Sequence, residues 1–196
     1  MIESKVIIKE NSRLSHWEPL LQQWIKCFDQ FCRVSNTIPV LSKKEQTNVG
    51  VLAGAAWKMG WVAFQEMSRK KPTNRGYCDL WLSNSTSSDY IECKGGWVDN
   101  HLSAYKLLER ACNDVKSLNI DDDPSDFNRV GVSFSNLYFP ESIDSHVERS
   151  KEIITKLCEF DGHDAIAWCE CKDKDGNHII DDGNVFTSVI LLARCL

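Results

Sequence analysis

The chain predicts an α/β fold, with helices packed around a central mixed sheet. Two observations carry this. Segments of period-two alternation and segments of helical spacing succeed one another: after an N-terminal helix come a helix, three strands, a helix, a strand, a helix and a hairpin. The composition is that of an ordinary globular protein, 42% hydrophobic and 26% charged over 196 residues. A chain of this length buries most of its apolar surface as one domain and folds without staples.

The elements follow in order. Residues 14–33 carry Trp17, Leu20, Leu21, Trp24, Ile25, Phe28, Phe31 and Cys32 at helical spacing, one face being strongly apolar. This helix reads as part of an appendage, residues 1–44, before an α/β domain over 45–196. Residues 45–59 read as a second helix rich in small residues, with Gly60 as its stop. Three strands follow at 61–69, 77–83 and 89–94, forming a meander that ends at Gly95-Gly96. Leu102, Tyr105, Leu108, Ala111, Cys112 and Val115 form the apolar stripe of a helix over 102–119. A strand over 127–136 and a helix over 142–160 come next. The terminal strands, 164–172 and 184–195, are joined by a turn at Asp-Lys-Asp-Gly-Asn.

Composition narrows the function. No run approaches the ~18 apolar residues of a membrane span, and the charged N-terminus lacks a signal core. Nine cysteines, most of them inside apolar runs, read as reduced core residues of a cytoplasmic protein. The net charge of −5 argues against a surface that coats nucleic acid by bulk electrostatics. A local basic cluster remains, Arg69, Lys70, Lys71 and Arg75, extended on the next helix by Lys106 and Arg110.

Chemistry concentrates on two adjacent strands. Alternation places Glu92 and Lys94 on one face of their strand, with Ile91 and Cys93 on the other. On the preceding strand Cys78, Leu80 and Leu82 share one face, and Tyr77, Asp79 and Trp81 the other. Pairing through the Asn-Ser-Thr-Ser-Ser turn brings Asp79 near Glu92 and Lys94. Two neighbouring carboxylates repel unless a cation sits between them. Mg²⁺ is a hard ion held by one or two carboxylates, waters and substrate phosphate oxygens. A lysine ammonium beside it orients or deprotonates a water, or neutralises charge developing on phosphorus. Glu-x-Lys alone is common on solvated strands. The upstream Asp79, the flanking apolar alternation and the amphipathic helix that follows distinguish this instance.

Asp79 with Glu92-Cys93-Lys94 resembles the motif of the PD-(D/E)XK nuclease superfamily. The order of elements over about 45–136 resembles that superfamily's restriction-endonuclease-like α-β-β-β-α-β core. The resemblance implies a Mg²⁺- or Mn²⁺-dependent endonuclease acting on DNA, in restriction or phage defence. Asp79 and Glu92 would be metal ligands and Lys94 the catalytic lysine. The further acidic residue often found on the first core helix has two candidates, Glu45 and Glu66. The residue before the aspartate is Cys78, where the superfamily often has proline.

The other reading is a catalytically inactive, nuclease-like adaptor or binding subunit of a DNA-processing complex. It would dock a second copy or a partner protein through the 14–33 helix. RNA is an alternative substrate, because a metal site does not sense the 2′-OH. A zinc site at Cys169, Cys171, His163 and His178 lacks the usual spacing. Asp173, Asp175 and Asn177 lack the later residues of a calcium loop.

Overall fold

The computed structural model describes residues 2–35, 45–70, 75–118 and 127–196. Among these residues, eight strands and four helices form three layers. The strands are β1 (Lys5–Ile8), β2 (Val62–Lys70), β3 (Arg75–Ser83), β4 (Ser88–Val98), β5 (Phe127–Pro140), β6 (Ala165–Glu170), β7 (Ile179–Asp181) and β8 (Asn184–Cys195). The helices are α1 (Glu18–Ser35), α2 (Glu45–Lys58), α3 (His101–Lys116) and α4 (His146–Glu159), and a single 3₁₀ turn, Ser15–Trp17, precedes α1. The sheet runs β1-β6-β8-β5-β4-β3-β2, with β7 added beside β8. The β4–β5 pair is parallel and the rest are antiparallel, so the sheet is mixed.

Strand alternation decides the layers. Leu80, Leu82, Ile91, Cys93, Val132 and Phe134 point to the side covered by α1 and α2. Val98, Leu137, Phe139, Ile190 and Leu192 point to the side of α3 and α4. Asn100 caps α3 by accepting the Ser103 N–H at 2.9 Å. The α3 helix lies close against β5 at Gly131, where an added Cβ would come within 2.7 Å of the Cys112 backbone nitrogen.

The N-terminal residues are part of the fold. β1 pairs with β6, Lys5 facing Trp168. Trp17, Leu20, Leu21, Trp24, Phe28 and Cys32 are buried in the core shared with α2 and the sheet. The apolar face that reads from sequence as a docking surface is therefore covered by the protein itself. The attachment includes a buried carboxyl group. Asp89, 1% exposed, accepts at Oδ2 from the Trp17 indole N–H (2.8 Å) and pairs there with His16 Nε2 (2.9 Å). Its Oδ1 accepts from Asn128 Nδ2 at 2.7 Å. One carboxylate thus joins the entry to α1, β4 and β5.

Three sequence expectations are corrected. β4 does not end at Gly95-Gly96: both glycines stay in the parallel ladder, opposite Phe134 and Ser135, and the strand runs to Val98. The Asp173–Asn177 turn forms, but it leads into β7, whose hairpin with β8 closes at Asp182 and Gly183. β1 and β7 are too short to show a period in sequence. Face alternation on β3 also fails at Asp79. Cys78 packs with Tyr90, Val115 and Leu118 on the α3 side, away from Leu80 and Leu82. The partner strand changes face at the same level. Glu66, opposite Asp79 in the β2–β3 register, has φ 54°, a left-handed conformation, and Met67 joins Cys78 on the α3 side.

All nine cysteines are free, and six of them are buried. Cys169 and Cys171 lie in the core, His178 pairs with Glu170 and His163 with Tyr105. Burial pushes the His163 pKa down to about 4. Asp173 accepts the amides of Asp175 and Asn177. No helix among the described residues is long and apolar enough to cross a membrane.

Removing the Asp89 carboxylate leaves three polar partners without their acceptor, each at a cost of about 1 kcal/mol or more. Asp89→Ala is expected to lower stability by about 3 kcal/mol or more, which for this length is roughly 6–12 °C in Tm. A Tm within about 2 °C of wild type would show that this carboxylate does not hold the N-terminal segment.

Candidate active site

The candidate site forms where β3 and β4 part. Their ladder pairs Ser83 with Ser88, Leu82 with Asp89, Trp81 with Tyr90 and Leu80 with Ile91. One step further, Asp79 would face Glu92, but backbone pairing stops there. The Asp79 side chain takes over instead: its Oδ2 accepts the Cys93 N–H at 2.7 Å. The carboxylate is thus fixed against β4 between Glu92 and Lys94. Glu92 shares its strand face with Tyr90 and Lys94 and is buried, 3% exposed. Its register partner is Gly131, where α3 comes closest to the sheet.

A second helix closes the site from the other side. Glu45 is the first residue of α2, and its Oε2 accepts the Gly95 N–H at 2.9 Å. The approach is close: a Cβ added at Gly95 would lie 3.2 Å from Glu45 Cα, so α2 would have to give by a few tenths of an ångström. The glycines after the motif strand are therefore where α2 docks. Of the two candidates for a further acidic residue, Glu45 lies in electrostatic range of Asp79 and Lys94. Glu66 lies opposite Asp79 in register, but its exposed side chain accepts from Gln46 Nε2 at 3.4 Å.

Electrostatics tie these groups together. Burial is the main influence on Glu45 and raises its pKa above the ordinary 4.5. The like charge of Asp79 adds to the rise, while Lys94, the Gly95 N–H and Arg110 act against it. Burial is also the largest influence on Lys94 and acts to lower its pKa. The hydrogen bond to Asp114 and the charges of Glu45, Asp114 and Asp79 outweigh it, so the net shift is upward from 10.5. Lys94 is therefore a held cation. Its Nζ donates to Cys93 O at 2.9 Å and pairs with Asp114 Oδ2 at 2.8 Å. The Cys78 thiol is pushed up to about 12 by burial, and the same cause raises that of Cys93, so neither is a thiolate nucleophile.

Sequence reasoning brought forward Asp79, Glu92 and Lys94, with Glu45 and Glu66 as further acidic candidates; the first three and Glu45 gather around the β3–β4 parting, while the Glu66 side chain meets Gln46. It missed Asp114, which lies on α3 one turn after Arg110. The only signal was a carboxylate on the helix that follows the motif strand, and its pairing depends on how α3 crosses β4. Of the basic cluster, Arg69 and Lys70 end β2 and Arg75 opens β3, with Lys70 paired to Arg75. Lys71 lies outside the described residues.

The donors are hard carboxylate oxygens, the type that suits Mg²⁺ or Mn²⁺. No group of three or more His, Cys, Asp or Glu among the described residues is arranged to hold a metal ion. Mg²⁺ needs only one or two carboxylates when waters and phosphate oxygens complete its shell. Mutual repulsion between Glu45 and Asp79 is the feature that a cation between them would relieve.

The raised pKa of Glu45 has a definite consequence for stability. The folded state holds this proton more tightly than the unfolded state. The contribution is therefore present in full below about 4.5 and is lost as pH rises through the higher folded value. At pH 7 the ionised side chain is a net cost. Glu45→Gln, which can still accept from Gly95, is expected to be more stable than wild type at pH 7 in urea unfolding. The difference should vanish below about pH 4.5. A variant less stable at pH 7 would mean that the ionised carboxylate stabilises the fold.

No protein-family model matches this chain, and no curated protein or solved structure does either.

Proposed function

We propose that the protein is a Mg²⁺-dependent endonuclease that hydrolyses phosphodiester bonds of DNA, with a restriction-endonuclease-like core. The observation that carries this is the joint placement of Asp79 and Lys94 on the two sides of the Cys93 peptide. Asp79 accepts its N–H, Lys94 donates to its C=O, and Glu45 caps the next amide but one. The segment α2-β2-β3-β4-α3-β5, with β4 and β5 parallel, supports the same reading through its likeness to the superfamily's core.

The roles follow from position. Asp79 and Glu92 would hold the cation, with waters and phosphate oxygens completing its shell, and Glu45 would add negative charge nearby. The bound ion would supply an activated water and neutralise charge on the phosphate oxygens. Hydrolysis forms a bond from water oxygen to phosphorus and breaks one phosphorus–ester bond. Negative charge grows on the phosphoryl oxygens as it proceeds. Lys94, charged and held by Asp114, suits stabilisation of that charge. Its upward shift fits a cation and argues against a general base. Asp114 is a positioning residue, acting through Lys94. Arg110, whose charge reaches Glu45, would serve as a phosphate contact in this reading.

The Lys94–Asp114 ion pair also fits a second reading, a nuclease-like subunit that binds DNA without cleaving it. A supercoiled plasmid incubated with Mg²⁺ separates the two. Wild type is expected to nick and linearise it, and Asp79→Ala and Lys94→Ala to slow this on the order of 100-fold or more. Equal rates in all three proteins would remove these residues from the chemistry. A plasmid bound but left intact by wild type would establish the non-cleaving reading.

A further inference from the structure

We propose that the stacked rings of Phe64 and Trp81 form a platform for one base of a single-stranded DNA substrate, which rests on the phosphodiesterase reading above. Phe64 and Trp81 face each other directly across the β2–β3 ladder. Their rings are 5.8 Å apart and nearly parallel, at 14°. The apolar stripe of α3 reaches Cys78 and Tyr90 and packs against Trp81. Phe64 lies beyond it on the edge strand and is 50% exposed. Val62, two residues before it on the same face, is also exposed, while Trp61 and Ala63 on the opposite face are buried.

A single exposed phenylalanine is ordinary. Here the placement identifies the occupant. Trp81 is two residues from Asp79 on β3. It pairs with Tyr90, which is two residues from Glu92 on β4. Phe64 thus lies two residues along and one strand across from Asp79, about 8 Å by strand geometry, within the reach of a nucleotide that sets its phosphate at the site and its base on the ring. An occupant of this surface must present a flat π face and, one step away, a bond that a carboxylate–lysine site can hydrolyse. A nucleotide has both.

Two further arguments select the single strand. In a duplex each base face is already stacked on its neighbours, so only an unpaired base can lie on Phe64. The chain carries a net charge of −5, which limits the broad electrostatic attraction that duplex binders use. Base–aromatic stacking adds affinity beside backbone contacts and tolerates any base.

Fluorescence anisotropy with labelled oligothymidylate, and with a duplex of the same length, tests the platform in the absence of metal. Wild type is expected to prefer the single strand. Phe64→Ala should weaken oligothymidylate binding about tenfold and leave duplex binding unchanged. Phe64→Leu, which keeps apolar bulk without a ring, should lose affinity likewise, and Phe64→Tyr should retain it. Unchanged oligothymidylate affinity in Phe64→Ala, beside Mg²⁺-dependent plasmid cleavage by wild type, would overturn the platform and leave the phosphodiesterase reading standing. A wild type that neither binds oligothymidylate nor cleaves DNA would sink both. If sedimentation shows that Phe64→Ala turns a dimer into a monomer with affinity unchanged, the patch is a contact between copies and the platform is wrong.

Discussion

The hydrogen bond from the Cys93 amide to the Asp79 carboxylate governs the geometry of the candidate site. A sheet interior requires each buried amide to find an acceptor. Between β3 and β4 that acceptor is a backbone carbonyl up to Leu80 and Ile91, and then it is a side chain. The exchange lets the strands separate without leaving the Cys93 amide unpaired. It also fixes a carboxylate that would otherwise project freely from an edge hairpin. The left-handed Glu66 and the face change of Cys78 and Met67 belong to the same departure, since both strands of the hairpin turn over at that level.

The electrostatics follow from this parting. α2 docks its first residue onto the open part of β4, where Gly95 allows the close approach. Glu45 thereby becomes a second carboxylate beside Asp79, half-buried and with its pKa raised. Lys94 then faces acidic groups from three elements: β3, α2 and α3. Burial alone would weaken its charge, but that many partners keep it protonated. Its character as a held cation is thus a property of the assembled site. An isolated strand carrying the same residues would not have it.

The same logic explains the place of the N-terminal segment. Leu82 faces Asp89 one pair from the β3–β4 turn, and Asp89 takes the Trp17 indole and the Asn128 amide. This buried carboxylate anchors α1 over the strands that carry the site. The α1 face packs on α2 and the sheet, so the position of Glu45 is supported from behind by Trp24, Phe28 and Leu52. The helix that looks like an attachment point for another protein is a structural layer of this one.

The sequence by itself determined the elements with long, clear periods: α1, α2, α3, α4 and the central strands appear within a few residues of their expected limits. It also singled out Asp79, Glu92 and Lys94, which stand out against apolar alternation and lie beside one another where β3 and β4 part. Several features lay beyond it. β1 and β7 are three or four residues long and owe their existence to strand partners distant in sequence. The contact of Glu45 with Gly95, and that of Asp114 with Lys94, depended on where α2 and α3 cross β4. The turnover at Glu66 and Asp79 broke a period-two pattern that sequence reading must assume to be unbroken. Local periodicity fixes which side of its own element a residue occupies. Only tertiary packing decides which elements meet there, because a close approach such as Glu45 on Gly95 is set by the fit of two surfaces and not by either segment alone.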